Sequence, residues 1–188
     1  CRELLVPDAA VYLEKAADPA RKTAYDLIAV EKGDLLINMD AQAPNRVFQE
    51  WAAQGHFLPD VQSIRPEYRY GDSRLDFALC TPHGLHLVEV KGVTLEEDGV
   101  VRFPDAPTER GVKHIRELEK AVREGTAATL FFVIQMRGVR WFSPNDDTHP
   151  EFGAALREAA AAGVRICAYD CVVTPDQITM DRPVMVKL

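Results

Sequence analysis

The stretch Ser73–Thr94, SRLDFALCTPHGLHLVEVKGVT, constrains this chain more than any other. Leu75, Phe77 and Leu79 alternate with Arg74, Asp76 and Ala78, the period of a strand with one buried face, and Pro82, His83 and Gly84 break the run. Leu87, Val88 and Val90 then supply a mostly apolar second strand, so the segment predicts a hairpin. Glu89 and Lys91 interrupt that second strand two residues apart, and side chains at that spacing share a face. When the two strands pair, Asp76 can stand beside Glu89. Two carboxylates and an ammonium group on apolar strands are costly to bury, and a divalent metal ion would neutralise them.

An Asp on one strand, a tight turn, and then Glu-x-Lys on an apolar strand is the sequence form of the PD-(D/E)XK nuclease active site. The competing reading is a same-face Glu–Lys ion pair on a half-exposed strand, stabilising by a few tenths of a kcal/mol at most.

The rest of the chain gives this hairpin a setting. Residues 1–40 read as β-only, with strands near Ala9–Glu14, Tyr25–Glu31 and Leu35–Met39 and turns at Pro7-Asp8, Asp18-Pro19 and Gly33-Asp34. Three strands are few for an independent domain. The segment therefore leans on the rest of the chain or is incomplete, and a start at Cys1 without an initiator Met favours the second. From Pro44, the residues Val47, Phe48, Trp51 and Ala52 recur at helical spacing until Gly55, with Glu50 beside the stripe. A strand over Ile64–Tyr70 leads into the hairpin, and Leu95–Val101 holds a turn with short strands. After the rigid Phe103–Pro107 loop, Thr108 caps a helix running to about Glu124, and Ala127–Gln135 is apolar enough for a central strand. Ser143–Asp147 reads as a polar loop and cap, Glu151–Ala162 as a helix stopped by Gly163, and Val164–Val173 as a strand. The fold class is α/β (α+β): an αβββαβ restriction-endonuclease-like core over residues 41–188, preceded by the β segment at 1–40.

Charge limits the partners. The net charge is −7 and the pI near 5.3, which argues against strong, sequence-independent phosphate binding by the whole surface. A local basic strip remains, since Arg65, Arg69, Arg74, Lys91, Arg102, Arg110, Lys113 and Arg116 all fall in the middle third. Arg110, Lys113 and His114 begin a helix, where the dipole already places positive charge, and a phosphate-bearing substrate gives them a reason to be there; scattered solvated cations are the alternative. Cys1, Cys80, Cys167 and Cys171 lack paired zinc spacing and read as buried thiols of a reducing compartment. His83 and His86 flank a turn and read as loop residues. No apolar run is long enough to cross a membrane, which predicts a cytoplasmic protein with no membrane partner.

Several stretches together resemble the sugar fermentation stimulation protein A family: ELL-P at Glu3–Pro7, RKT at Arg21–Thr23, PNR with Glu50, YGDSRLDF at Tyr70–Phe77, EVKGVTL at Glu89–Leu95, FPDAPTERGVKH at Phe103–His114 and FSPNDD at Phe142–Asp147. The resemblance runs from Arg2 to near the C-terminus. It implies an OB-like barrel at the N-terminus, a PD-(D/E)XK nuclease-like domain, DNA binding and a bacterial or archaeal cytoplasm. Three departures stand out: the family's first barrel strands are expected to be missing, Asp8 replaces a usual Gly, and His149 stands where an Asp often precedes the Pro.

On this resemblance the expected function is a Mg²⁺- or Mn²⁺-dependent phosphodiesterase acting on DNA, with RNA as a second candidate substrate and a homodimer as one assembly it allows. Asp76, Glu89 and the carbonyl of Val90 would hold the metal, with Glu50 as a further ligand. Lys91 would orient the attacking water, Arg74, Arg110 and Lys113 would steady phosphates, and His114 would protonate the leaving oxygen. The rival is a non-catalytic DNA-binding regulator of sugar (maltose) metabolism genes on the same scaffold.

Overall fold

A computed structural model describes residues 3–18 and 20–188. Cys1, Arg2 and the proline of the expected Asp18-Pro19 turn lie outside the described residues. The first strands come close to expectation: β1 (Val11–Lys15), β2 (Tyr25–Lys32) and β3 (Leu35–Asn38) form an antiparallel three-stranded sheet in the order β1-β2-β3. The expected helix–three-strand–helix–strand series follows. It consists of α1 (Ala43–Ala53), β4 (Ser63–Tyr70), β5 (Ser73–Thr81) and β6 (Gly84–Val93), then, after the small hairpin β7 (Leu95–Glu97) and β8 (Val100–Phe103), α2 (Glu109–Arg123) and β9 (Ala127–Ile134). The chain continues through β10 (Trp141–Pro144), α3 (Pro150–Ala162), β11 (Arg165–Thr174), β12 (Gln177–Pro183) and β13 (Met185–Val186).

Six strands make the main sheet in the order β12-β11-β9-β6-β5-β4, with β6, β9 and β11 parallel and the outer strands antiparallel. The parallel centre explains why β9 reads as a continuous apolar run: both of its faces are covered. On one face α1 packs Val47, Phe48 and Ala52 against Phe77, Val88 and Phe131. On the other, α2 and α3 bury Ile115, Leu118, Phe152 and Leu156 against Leu75, Leu87 and Phe132. A second sheet, β13-β10-β8-β7, flanks this core, with β10 parallel to both β8 and β13.

Two expectations need correction. Ser143 and Pro144 belong to β10 rather than to a loop, because a parallel partner at Arg102 and Phe103 overrides their turn propensity. His86 lies inside β6, paired with Leu79, while His83 does lie in the turn. The strands β12 and β13, with mixed polar and apolar residues on a sheet edge, have no clear period in the sequence.

Candidate metal centre

The ladder between β5 and β6 closes at Phe77 opposite Val88, so Asp76 and Glu89 occupy the place where the strands part. Here β5 and its neighbour β4 also change face. Phe77 and Ile64 join the α1 layer, whereas Leu75 and Tyr68 join the α2 layer. Glu67, between them on β4, takes a left-handed backbone with φ of 50°, and a local irregularity of this kind re-aims side chains next to it. Asp76 turns into the resulting gap. Its Oδ2 accepts the backbone N–H of Val90 at 2.8 Å, and its Oδ1 accepts the Asn45 side-chain amide from the first turn of α1 at 2.9 Å. The Val93 carbonyl accepts from Gln135 beyond β9, so by the alternation of a parallel ladder Val90 turns its polar backbone towards β5 and Asp76.

Glu89 is buried, and its carboxylate is the hub. Lys91 donates to Oε1 at 2.5 Å, Nδ1 of His114 meets the same oxygen, and the backbone N–H of Asp76 reaches Oε2 at 3.3 Å. Burial raises the Glu89 pKa, but the hydrogen bond from His114 and the charge of Lys91 outweigh it and hold the carboxyl below its ordinary value. Asp76 moves the other way: burial, and then the charge of Glu89, push its carboxyl up against its hydrogen bonds to Val90 and Asn45. The two adjacent carboxylates are thus compensated unequally: Glu89 has Lys91 and His114 on its oxygen, whereas Asp76 has only neutral donors.

Among the expected residues, Asp76, Glu89, Val90, Lys91 and His114 therefore meet. His114 joins them through its ring: Nδ1 meets Oε1 of Glu89, and Nε of Arg110 lies 3.4 Å from Nε2 on the other side. The ring thus orients Glu89. Glu50 does not join the cluster: it is exposed and lines a cavity of about 870 Å³ with Glu14, Asp40, Arg46 and Asp176. It lies five residues past Asn45 and so roughly 140° around the helix from it. Arg74 is exposed and pairs with Glu67 at 3.1 Å, and Lys113 is exposed one residue before His114. Asn45 is the residue that sequence reasoning missed. Its signal was the PNR motif, with Asn at the start of a helix where no capping role claims it.

A second group of potential ligands, Glu109, His149 and Glu151, has its ligand atoms within 4.8 Å of one another at the starts of α2 and α3. Nδ1 of the buried His149 accepts the Thr108 N–H at 3.3 Å, and its Nε2 faces Glu109 and Glu151 at 3.8 and 3.9 Å.

Residues 42–177 match the family model described as the sugar fermentation stimulation protein RE domain, and residues 1–39 match the SfsA N-terminal OB domain. Two bacterial relatives, each described as a sugar fermentation stimulation protein homolog, are similar over nearly the whole chain. The protein of Clostridium beijerinckii is 52% identical over 96% of this chain and 80% of its own length, and that of Desulfitobacterium hafniense 53% identical over 100% and 82%. The solved structure of Pyrococcus furiosus SfsA in complex with Ca²⁺ superposes with a TM-score of 0.91 at 28% identity, covering 100% of this chain and 81% of that one. The chain thus belongs to the sugar fermentation stimulation protein (SfsA) family. The expectation that it lacks the family's N-terminal stretch is not borne out, because the OB domain model matches residues 1–39. No helix among the described residues is long and apolar enough to cross a membrane.

Proposed function

We propose that this protein is a metal-dependent phosphodiesterase of the PD-(D/E)XK type that acts on DNA. The observation that carries the reading is the meeting of Asp76, Glu89 and the Val90 backbone at the parting of β5 and β6, with Lys91 beside them. The donor set fits a hard cation. It consists of oxygens alone, and each Asp76 oxygen has a single donor, leaving a lone pair free. The relative from Pyrococcus furiosus was solved with Ca²⁺, another oxygen-seeking divalent ion, which supports the same chemistry here.

Asp76, Oε2 of Glu89 and the Val90 carbonyl would hold Mg²⁺ or Mn²⁺. When bound, the ion supplies charge to the scissile phosphate and lowers the pKa of a bound water. Lys91 holds a positive charge at Oε1 of Glu89, where it can orient the attacking water and meet charge developing on the phosphate. His114, backed by Arg110, fixes the rotamer of Glu89. The exposed side chains of Arg110 and Lys113 on α2 would receive neighbouring phosphates.

The test is incubation of the full chain with single- and double-stranded DNA and Mg²⁺ or Mn²⁺, with a Lys91→Ala variant purified identically. The wild type is expected to cleave in a way EDTA stops, and Lys91→Ala to lose at least about a hundredfold in rate while still binding metal, as expected for a group acting on the transition state. Equal activity in both proteins would sink the catalytic reading and leave the DNA-binding regulator in its place.

A further inference from the structure

We infer that Gln135 is a positioning residue through which the N-terminal sheet fixes α1 and the Glu-x-Lys strand around Asp76; this rests on the metal reading of Asp76 and Glu89. Gln135 follows the last residue of β9 and is 3% exposed. Its backbone joins two structures at once: its N–H donates to Val93 on β6 at 2.9 Å, and its carbonyl accepts from Asn38 at the end of β3, also at 2.9 Å.

The side chain completes the joint. Nε2 lies 2.9 Å from Oδ1 of Asn38, 3.0 Å from the Asn38 carbonyl and 3.2 Å from the Asp40 carbonyl, so one amide serves three acceptors in the link between β3 and α1. Asn38 is itself buried, and its Oδ1 also accepts the N–H of Asp40. The opposite end of the Gln135 amide presses on Gly92. A Cβ placed there would fall on Oε1 of Gln135 and stand 2.7 Å from Cγ of Pro44.

Gly92 is the residue after Lys91, and Pro44 is the residue before Asn45. Gln135 and Pro44 therefore both crowd the space at Gly92, while Gln135 anchors the loop that delivers α1. Were packing its only role, a Leu or Met would fill this volume without demanding polar partners. An amide surrounded by three carbonyl-type acceptors fixes the height and rotation of the first turn of α1, and with it the hydrogen bond from Asn45 that sets the orientation of Asp76.

The test uses the full chain. Ca²⁺ is titrated by calorimetry into wild type, Gln135→Met, Asn38→Ala and, as a control, Leu156→Ala, whose side chain is buried under α3 far along the opposite face. The side-chain amide resonances of Asn45 are followed by NMR without metal in the same proteins. Gln135→Met should weaken Ca²⁺ binding by about tenfold or more, the range typical of partners behind a metal ligand, and Asn38→Ala by less. Both should shift the Asn45 signals. Leu156→Ala should do neither, although it lowers the melting temperature at least as far. Unchanged affinity and unmoved Asn45 signals in Gln135→Met overturn the inference. If Gln135→Met fails to fold, Asn38→Ala decides by the same two readouts. If Asp76→Asn leaves Ca²⁺ affinity intact, it is the metal reading that falls, and the Asn45 signals alone then decide whether Gln135 positions α1.

Discussion

Individual residues show where sequence logic reaches and where it stops. Asp76, Glu89 and Lys91 were legible because a charged triad inside an apolar hairpin has few explanations, and strand period fixes which face it occupies. Gln135 was not, since an uncharged amide carries no signal until its partners are known, and Asn45 showed only as part of the PNR motif, with no role attached to it. Glu50 shows the reverse case: a carboxylate next to an apolar stripe stands about 140° around the helix from Asn45 and lines the cavity with Glu14, Asp40, Arg46 and Asp176. His86 was misplaced because Pro82–Gly84 drew the turn too wide. Its Nε2 bonds the hydroxyl of Thr129 at 2.7 Å and its ring meets the edge of Phe57, so burial, with Arg165 nearby, holds its pKa down to about 4. The folded chain keeps this imidazole neutral while the unfolded chain protonates it near pH 6.5, so its share of stability is complete above pH 6.5 and is lost as pH falls towards 4. Urea unfolding of wild type and His86→Gln across that window should differ in slope by up to about 1.4 kcal/mol per pH unit; parallel curves would show that the ring is solvated.

Whole elements followed local rules more closely. The helix α2 was legible at both ends: Oγ1 of Thr108 accepts the Gly111 N–H at 3.0 Å, and the Glu124-Gly125 end closes on Lys120 and Val122. The central strand β9 announced itself through length and hydrophobicity. What eluded prediction were short strands made by pairing alone, such as β10, which is ordered by its neighbours on both sides. Because α2 carries Arg110, Lys113 and His114, its cap matters beyond stability. Thr108→Ala should cost about 1 kcal/mol in chemical denaturation, and Thr108→Ser should recover most of it. A loss that Ser does not restore would point to the Thr108 methyl, which lies close beside Gly111, rather than to the cap.

For the molecule as a whole, three sheets are tied into one body by polar joints as well as by the core. The buried Glu96 on β7 accepts Lys32 Nζ from the end of β2 at 2.6 Å and also meets the N–H of Gly99, so the N-terminal sheet is fastened at Glu96 as well as at Gln135. Such joints between distant segments leave no trace in local sequence pattern. The overall charge of −7 was legible. On the proposed DNA-binding reading, affinity should fall with salt along a shallow slope, and Arg110→Glu with Lys113→Glu should flatten that slope by about 2 in log–log terms if both residues contact phosphates. An unchanged slope in filter binding or fluorescence anisotropy would place the DNA elsewhere. The centre of the main sheet has a last consequence for how this body can be watched. The amides of β6 and β9 lie in the innermost pair of strands, where deuterium enters only when the fold opens globally. Val90 differs, because its N–H is held by a side-chain carboxylate rather than by a strand carbonyl. Its exchange rate therefore follows the state of Asp76, and this one amide in the most protected part of the protein works as a gauge of what the carboxylate beside it is bound to.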